Sequence, residues 1–324
     1  MRTVIGLLAA GLATFCAAAS AQDAASYPSK AIRVVIPFPP GGATDLITRR
    51  IGEALTKRWN QPVVVENKPG ANTIIGTETV ARADPDGYTL LMTSPAGLVQ
   101  LPPLFPNLPY DPVKDFMPLT QIAEVATALV VPADIPPRTV RELADWLRAN
   151  PGKTSYASLG LASTLHIYGE AFKRAARADS THVPYKGDAP AMTDLLSGRV
   201  QYMFNNPVSA INYAKQGRVR ILAVTGEKRL PALPDVPTMA EAGFPGFETV
   251  GWFAFFVSAR TPRAIAEKLN GALSEIIRSP EMSAFLAERG TLPTGIGMDE
   301  FARKVAAERD AWAKLIKEND IRLD

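Results

Sequence analysis

The sequence has 324 residues, with 35 Lys and Arg against 32 Asp and Glu, and a formal net charge of +3. This balance argues against a nucleic-acid-binding protein, which needs basic residues clustered on one face. Hydrophobic residues make up 47% of the chain, which is enough for a folded core of one large or two ordinary domains and excludes an intrinsically disordered protein.

The first 21 residues have the pattern of a secretory signal peptide. A positive start is followed by an apolar run over Val4–Phe15 and by small residues at Ala19 and Ala21. This pattern predicts cleavage after Ala21 and export of the mature chain. The alternative is a lipoprotein anchored through Cys16, although Phe15 stands where lipidation favours a small residue. Cleavage would leave no cysteine, and so no disulfide and no thiolate site.

Short apolar runs then alternate with amphipathic segments. The strand candidates are Ile32–Pro37, Val63–Glu66, Tyr88–Thr93, Leu129–Val131, Ser155–Ala157, Val200–Phe204 and Ile221–Thr225. Helices are predicted at Ala43–Trp59, where apolar residues recur every three or four positions, and at Val140–Asn150, which opens on a capping box at Thr139. Strand–helix alternation with short connections predicts an α/β fold with a mainly parallel sheet.

The stretch from Thr261 to Asn319 is nearly all helical in pattern. Thr261 is the expected helix cap and Pro262 the first helical residue. The pattern predicts an α-helical flank without a further strand, in which Gly295–Gly297 is a loop. No apolar run of about 18 residues, the length that spans a membrane, follows the signal peptide.

Common catalytic motifs are absent from the sequence. It contains no phosphate-binding loop, dinucleotide-binding fingerprint, nucleophile elbow or zinc-protease motif. Ser163 and His166 could form a nucleophile–base pair, but we favour a helix start capped by Ser163 or Thr164, with His166 partly buried. His166 and His182 are the only histidines, so we expect neither a metal site nor a cofactor. The sequence reads as a binding protein and not as an enzyme.

Two strand-to-helix loops have features typical of anion sites. Pro37–Asp45 contains the pair Gly41 and Gly42, and Tyr156–Thr164 offers a glycine and several hydroxyls. Backbone N–H groups at the start of a helix bind anions, and ligands of open α/β sheets lie beyond the carboxyl ends of the strands. The alternative for the first loop is an ordinary turn with Thr44 as helix cap. Two such loops facing each other across a cleft could hold a carboxylate without an arginine.

Several distinctive segments occur in a fixed order and carry a family resemblance. They are Tyr27–Lys30, Pro37–Asp45, Val65–Ala71, Asp84–Leu90, Val183–Gly187, Leu233–Thr238 and Glu241–Gly243. The sequence resembles the Bug-type receptors, which are the periplasmic solute-binding components of tripartite tricarboxylate transporters. This resemblance covers essentially the whole chain after the signal peptide.

The resemblance implies a two-lobed type II periplasmic binding protein, with a cleft between the lobes and two crossing hinge strands. The crossings are expected near Ile122–Val131 and Val250–Ser258. One lobe would comprise residues 22–123 and 252–324, and the other residues 124–251.

The resemblance also implies which residues bind the ligand. Receptors of this family hold a carboxylate with backbone amides, hydroxyls and ordered water from two facing loops. Carried over to this sequence, the binding residues are Phe38, Gly41, Gly42, Thr44, Asp45, Ser158, Gly160, Ser163 and Thr164, with Ser94 and Asn205 as further candidates. For Asp45 we favour a structural role in the first helical turn, because a carboxylate repels an anionic ligand.

Two departures from the family pattern bear on the ligand. Leu161 occupies a loop that is commonly more polar and glycine-rich, and the pair Asn205-Asn206 stands where an Asp is frequent. The missing acid disfavours an amino acid, whose ammonium group needs a carboxylate partner, and Leu161 favours an apolar ligand body. The expected ligand is an aromatic acid of the phthalate type or an aliphatic di- or tricarboxylate. Phe38, Trp252 and Phe253 are candidate aromatic walls, with packing at the hinge as the alternative for the last two.

The partners implied are the carboxylate and the integral-membrane permease to which the receptor delivers it. We expect a monomer in the periplasm and no interaction with nucleic acid. A periplasmic ligand-sensing adaptor for a signalling system has the same fold and is the alternative function. An exported hydrolase is a weaker alternative because histidine is scarce.

Overall fold

The computed structural model describes residues 25–321, so the predicted signal peptide and its cleavage site lie outside the described residues. Within this part of the chain, none of the helices combines the length and the apolar character that crossing a membrane requires. The strands form one six-stranded and one five-stranded sheet. We call the parts built on them lobe 1 and lobe 2.

The six-stranded sheet is the centre of lobe 1. Its strands are β1 (Ile32–Ile36), β2 (Val63–Asn67), β3 (Thr89–Thr93), β4 (Phe116–Val125), β10 (Gly251–Ser258) and β11 (Leu292–Ile296). Their order across the sheet is β11-β4-β10-β3-β1-β2. Strand β10, which is late in the sequence, therefore lies between two strands from the first half of the chain.

The five-stranded sheet is the centre of lobe 2. Its strands are β5 (Ala128–Pro132), β6 (Thr154–Ser158), β7 (Ser180–Pro184), β8 (Tyr202–Asn205) and β9 (Val219–Val224). Their order is β7-β6-β8-β5-β9. All these strands follow one another in sequence, so lobe 2 is built from a single continuous stretch of chain.

The prediction of a mainly parallel sheet is wrong, because both sheets are mixed. Strand β1 pairs in parallel with β2 and β3, and β6 pairs in parallel with β7 and β8. In contrast, β10 runs antiparallel to β3 and β4, β11 runs antiparallel to β4, and β5 runs antiparallel to β8 and β9. Parallel pairing of strands requires a crossover connection, which is usually a helix. Strands β5 and β10 enter their sheets directly from the opposite lobe without such a connection, and they pair antiparallel with their neighbours.

Helices cover the faces of the sheets. They are α1 (Ala43–Trp59), α2 (Ile74–Ala81), α3 (Val140–Ala149), α4 (Thr164–Ala175), α5 (Asp188–Leu196), α6 (Pro207–Lys215), α7 (Arg263–Arg278), α8 (Pro280–Ala287) and α9 (Met298–Glu318). The bounds predicted for α1 are confirmed. So is the cap of α3, where the Thr139 side chain accepts a hydrogen bond from the Glu142 N–H at 3.1 Å.

Two expected helix caps differ in the structure, the alternative of Thr44 for α1 and the prediction of Thr261 for α7. Gly42 is the cap residue of α1, and Thr44 is buried within the first turn and does not cap it. Helix α7 begins at Arg263 with Pro262 at the cap position, so the predicted cap, Thr261, lies one residue before the observed one. In both helices the pattern located the start to within one or two residues but assigned the cap to the wrong side chain.

The predicted helical flank at the C-terminus contains a strand. Leu292 of β11 pairs with Glu124 of β4, so the expected loop at Gly295–Gly297 begins inside β11. This strand contains Pro293 and a glycine, lacks alternating apolar residues and lies at the edge of its sheet, where proline is tolerated. Its sequence therefore carried none of the signals on which strand prediction relies.

The chain crosses between the lobes twice, as the predicted fold requires. It leaves lobe 1 through Ala126 and Thr127, and it returns between Val224 and Gly251. The two crossings are tied together, because the Thr127 N–H donates to Thr225 Oγ1 at 2.9 Å and the Thr225 N–H donates to the Thr127 carbonyl at 2.8 Å. These bonds make the crossings a short paired hinge.

Helix α9 belongs to lobe 1 but packs against both lobes. Its Phe301 ring lies 5.5 Å from the Trp252 ring of β10, and its Trp312 ring lies 5.5 Å from the Tyr168 ring of α4 (centroid to centroid). All four side chains are buried in one continuous hydrophobic cluster. The lobes thus share a core at the hinge while they enclose a cleft elsewhere.

Candidate functional site

A cleft of about 1100 Å³ lies between the two lobes. It is bounded by the carboxyl ends of strands and the starts of the helices that follow them, where ligands of open α/β sheets bind. Its lining includes Phe38, Ala43, Leu46, Ser94, Val125, Thr127, Leu159, Ser163, Thr164, Leu165, Asp188, Asn205, Val208, Ser209, Asn212, Tyr213, Gln216, Trp252, Phe253, Glu288 and Arg289.

The first wall of the cleft is the start of α1. Gly41 has a φ of +83°, a left-handed conformation that glycine adopts without strain, and this turn leads directly into the helix. Gly42 supplies no side-chain cap, so the first N–H groups of α1 are left for another acceptor. Ala43 and Leu46 of the first turn line the cleft. The helix start therefore offers backbone donors to an anion in the cleft.

Asp45 holds this turn through a hydrogen bond to its backbone and does not line the cleft. It is 4% exposed, and its carboxylate accepts hydrogen bonds from the Gly41 N–H and from Arg49 Nε, both at 3.0 Å. The Arg49 hydrogen bond holds the pKa of Asp45 below its usual range, with the Gly41 N–H adding to the effect. Asp45 is thus an ionised side chain that is already paired within lobe 1.

The second wall is the start of α4. Ser163 is its cap residue, as predicted, because Oγ accepts from the His166 N–H at 3.2 Å. Thr164 Oγ1 accepts a 2.9 Å hydrogen bond from the side chain of Gln100, which lies on a short π-helix of lobe 1. Gln100 has no motif of its own, and sequence reasoning missed it. The Gln100–Thr164 bond connects the two lobes across the cleft.

The histidines lie behind this wall, where His166 is buried and His182 is half-buried. His166 Nδ1 accepts from the Ala162 N–H at 3.2 Å, and its ring stacks on His182 at 4.1 Å between centroids. Ser158 Oγ lies 2.6 Å from His182 Nε2, and Ser158 is fully buried. Burial, helped by the neighbouring His166, lowers the pKa of His182 to about 4. Both imidazoles are occupied in holding the loop, and Ser158 acts with them.

The predicted binding residues therefore fall into two groups. Side chains that line the cleft are Phe38, Ser94, Ser163, Thr164 and Asn205. Residues of the same loops that do not line it are Gly41, Gly42, Thr44, Asp45, Ser158 and Gly160. Ser94 also has the contact expected of a turn, since its Oγ accepts from the Ala96 N–H at 3.4 Å. The second group shapes the loops whose backbone faces the cleft.

The prediction that Leu161 contributes an apolar surface to the binding site is wrong, because Leu161 does not lie in the cleft. Leu161 is 41% exposed and is not part of the cleft lining. The apolar surface of the cleft comes instead from Leu46, Leu159 and Leu165. The rings of Phe253 on β10 and of Phe38 in the loop before α1 add to it. An apolar ligand body is still favoured, but by other leucines than the one that the sequence pointed to.

A third helix start also borders the cleft. Asn206 caps α6 by accepting from the Val208 N–H at 2.9 Å, and Asn205 Oδ1 accepts from the Asn206 N–H at 2.7 Å. Asn205 is fully buried and its amide also contacts Met192 Sδ at 3.1 Å. The rule that selected the other two loops would have found this one, because the helix cap Asn206 directly follows β8 and Pro207 takes the first helical position.

Trp252 connects the cleft to a second cavity at the hinge. Its ring is fully buried behind the cleft, while Nε1 donates to Glu308 Oε2 at 2.5 Å. Glu308 lines the second cavity, of about 530 Å³, together with Glu124 and Lys304. Burial raises the pKa of Glu308 to about 7, against the opposing effects of the Trp252 hydrogen bond and of Lys304. A weakly acidic carboxyl thus holds the aromatic ring behind the cleft.

Glu308→Gln is expected to change the pH dependence of stability. Since the pKa of Glu308 rises from 4.5 to about 7 on folding, the folded state binds more protons than the unfolded state between these values. Wild-type stability therefore falls as the pH rises through this window, and Gln, which accepts the Trp252 bond without ionising, removes that loss.

The measurement is urea unfolding of both proteins at about pH 5 and about pH 8, where the variant should gain roughly 1–3 kcal/mol relative to wild type at the higher pH. His182 contributes with the opposite sign, because its lowered pKa makes stability rise with pH, but it is the same in both proteins. An equal difference between variant and wild type at the two pH values would contradict the assignment of Glu308.

Comparison with known proteins gives a family match. The model of the tripartite tricarboxylate transporter family receptor matches residues 47–321. A protein of Pseudomonas sp. (strain P51), described as the UPF0065 protein in the tcbD-tcbE intergenic region, is 39% identical over 318 residues, which cover 98% of this chain and 94% of the relative.

Two solved structures from Rhodopseudomonas palustris are similar to this one. Rpa4515 with adipate has 34% sequence identity and a TM-score of 0.82, over 91% of this chain and 99% of its own. MatC with bound malate has 32% identity and a TM-score of 0.79, over 90% of this chain and 100% of its own. The predicted two-lobed periplasmic-binding-protein fold is thereby confirmed.

Proposed function

Because the chain belongs to the tripartite tricarboxylate transporter receptor family, we propose that it is a periplasmic receptor that binds an organic carboxylate between its lobes. One observation carries the proposal. The starts of α1 and α4, one from each lobe, line the same cleft and offer backbone N–H groups, while the Ser163 and Thr164 hydroxyls donate to the Gly160 carbonyl and to Gln100 Oε1. A carboxylate there gains hydrogen bonds from both helices and the favourable ends of both helix dipoles.

The ligand acts by shifting a conformational equilibrium. The hinge at Thr127 and Thr225 is short, and a carboxylate that touches both helix starts stabilises the arrangement in which the lobes are closest. No bond is made or broken. The family is one of solute receptors, and the buried, mutually stacked histidines are occupied in structural contacts, which disfavours the hydrolase alternative.

A carboxylate with an apolar body fits the cleft best. The relatives Rpa4515 and MatC are solved with adipate and with malate, which are both dicarboxylates, and this supports the same class here. Phe38 and Phe253 provide aromatic walls, with the fully buried Trp252 ring packed behind the cleft, so a phthalate-type acid is proposed beside the aliphatic di- and tricarboxylates. An amino acid remains disfavoured at Asn205, which is neutral.

The remaining proposals concern partners and boundaries. We propose that the loaded receptor is a monomer that delivers its ligand to the membrane permease of a tripartite tricarboxylate transporter. We also propose that the signal peptide ends at Ala21 and that the lobes divide close to the expected boundaries (22–123 with 252–324, and 124–251), with the end of β4, to Val125, and the start of β10, at Gly251, in lobe 1. A sensing adaptor with the same fold would bind the same ligand, and capture of the partner from detergent-solubilised membranes distinguishes the two.

The test is a thermal-shift screen of the mature protein against aliphatic di- and tricarboxylates, aromatic carboxylates and amino acids. A ligand that binds only the folded state raises the melting temperature by mass action, so the expected hits are carboxylates that lack an ammonium group. Mass spectrometry of the denatured protein identifies any carboxylate that copurifies. Binding of an amino acid in preference to every simple carboxylate would overturn the ligand class.

A further inference from the structure

One charged side chain that lines the cleft has no role in binding the carboxylate proposed at the two helix starts. Arg289, just beyond the end of α8, is the only cationic side chain among the described residues that line the cleft. The carboxylate proposed at the helix starts of α1 and α4 does not require it, since the backbone N–H groups of both helix starts serve there. A cation in the wall of a ligand cleft needs its own explanation.

The guanidinium of Arg289 is held in a fixed orientation. Its Nη1 donates to the Phe285 carbonyl at 2.8 Å, and its central carbon lies 3.4 Å from the centre of the Phe285 ring. Within residues 25–321 this is its one hydrogen bond, so most of its five N–H donors are left for another acceptor. An arginine stacked and anchored in this way loses little freedom when it binds an anion.

Glu288 does not neutralise this charge. Its Oε2 lies 3.8 Å from Arg289 Nη1, which is too far for a hydrogen bond, and the Glu288 side chain is 76% exposed. Exposed ion pairs of this kind are weak. Asp188, the other acid of the cleft lining, accepts a 2.8 Å hydrogen bond from Ser209 Oγ and pairs with no arginine in the described chain. The positive charge of Arg289 therefore faces the cleft largely unopposed.

Arg289 is also placed where the lobes meet. The next residue, Gly290, has a φ of +70°, and a side-chain carbon on it would lie 2.6 Å from Val208 Cγ2 and 3.3 Å from Asn206 Oδ1. The segment of lobe 1 that carries Arg289 thus packs directly on the start of α6 in lobe 2. A group bound by Arg289 lies at this end of the cleft, next to the third helix start.

We propose that Arg289 binds a second acidic group of the ligand and makes the receptor selective for dicarboxylates over monocarboxylates. This inference rests on the proposed function, because it assumes a first carboxylate at the starts of α1 and α4. A guanidinium binds a carboxylate through two parallel N–H···O bonds, which a neutral ligand end cannot reproduce. The length of the ligand is then set by the span between the helix starts and Arg289.

The test compares matched pairs of acids by isothermal titration calorimetry. Succinate, glutarate, adipate and phthalate are each titrated beside the monocarboxylate of the same skeleton, namely butyrate, pentanoate, hexanoate and 2-methylbenzoate. For the dicarboxylate that binds best, Arg289→Gln is expected to weaken binding roughly 10- to 100-fold, and to change the affinity of the matched monocarboxylate less than about 3-fold.

Three further variants complete the experiment. Arg289→Lys keeps the positive charge but not the two parallel N–H donors of the guanidinium, and it should weaken dicarboxylate binding less than Arg289→Gln does. Glu288→Gln should leave the preference for the dicarboxylate intact or increase it. Arg148→Gln, on the surface of lobe 2, is the control for the loss of one arginine. Equal weakening of both acids by Arg289→Gln, or no weakening, overturns the inference. If wild type binds none of the acids while folded and ligand-free, the proposed function itself fails.

Discussion

Ala43→Asp is expected to abolish carboxylate binding while it stabilises the free protein. Ala43 is the first residue of α1, is exposed and lines the cleft. An acid in the first turn of a helix stabilises the fold by about 0.3–1 kcal/mol through the helix dipole. The same carboxylate occupies the position of the ligand's charge and repels it, and like charges brought together cost several kcal/mol. We expect the affinity to fall more than about 100-fold.

The opposite signs of the two effects make this prediction specific. Calorimetric titration with the tightest carboxylate gives the affinity, and thermal unfolding without ligand gives the stability. Ala43→Asn is the matched control, because it has the same size without the charge and should keep most of the binding. If the Asp variant binds the carboxylate as wild type does, the start of α1 is not the anion site.

Trp252→Ala is expected to cost about 3–5 kcal/mol of unfolding free energy. The Trp252 ring is 0% exposed and packs against Phe256 and Phe301, so its loss leaves a cavity in the core that the lobes share. The variant also removes the donor to Glu308, whose carboxyl is then buried without its partner. Urea unfolding at neutral pH measures the loss.

Two variants separate the contributions of Trp252. Trp252→Phe keeps most of the ring and removes only the N–H, and we expect it to cost about 1–3 kcal/mol, more when Glu308 is ionised. Trp146→Ala, at a half-buried position on α3, is the control for the loss of a tryptophan outside the hinge. A loss below about 1 kcal/mol for Trp252→Ala would mean that the hinge core repacks around the missing ring.

The sequence predicted the elements whose signals are local. Helix α1 has a long amphipathic repeat and its bounds were predicted as observed, whereas β11, which reads Leu-Pro-Thr-Gly-Ile, has none. Pairing with β4 makes it a strand, and that contact depends on the return of the chain to lobe 1. The mixed direction of the sheets has the same origin, because it follows from which lobe each strand enters.

The site was predictable to the level of loops but not of side chains. Ser158 is in the predicted loop, yet it shares a strand face with Tyr156, two residues earlier, and both are fully buried. Ala157 between them is also fully buried, so both faces of this strand end are covered, and the position of Ser158 within β6 was the signal for its burial. Arg289 and Gln100 could not have been found, since neither belongs to a motif. Arg289 reaches the cleft, and Gln100 reaches Thr164, only through tertiary packing.

The central position of β10 in the lobe 1 sheet has a consequence for the order of folding. Strands β3 and β4 are made early, but Gly251–Ser258, which pairs with both, follows only after all of lobe 2. Because synthesis begins at the N-terminus, all five strands of lobe 2 can pair before β10 is made. Until then, β3 and β4 have unpaired edges. Such edges are sites where nascent chains aggregate, so we expect lobe 1, and not lobe 2, to be the aggregation-prone part of the chain until its last strands are made.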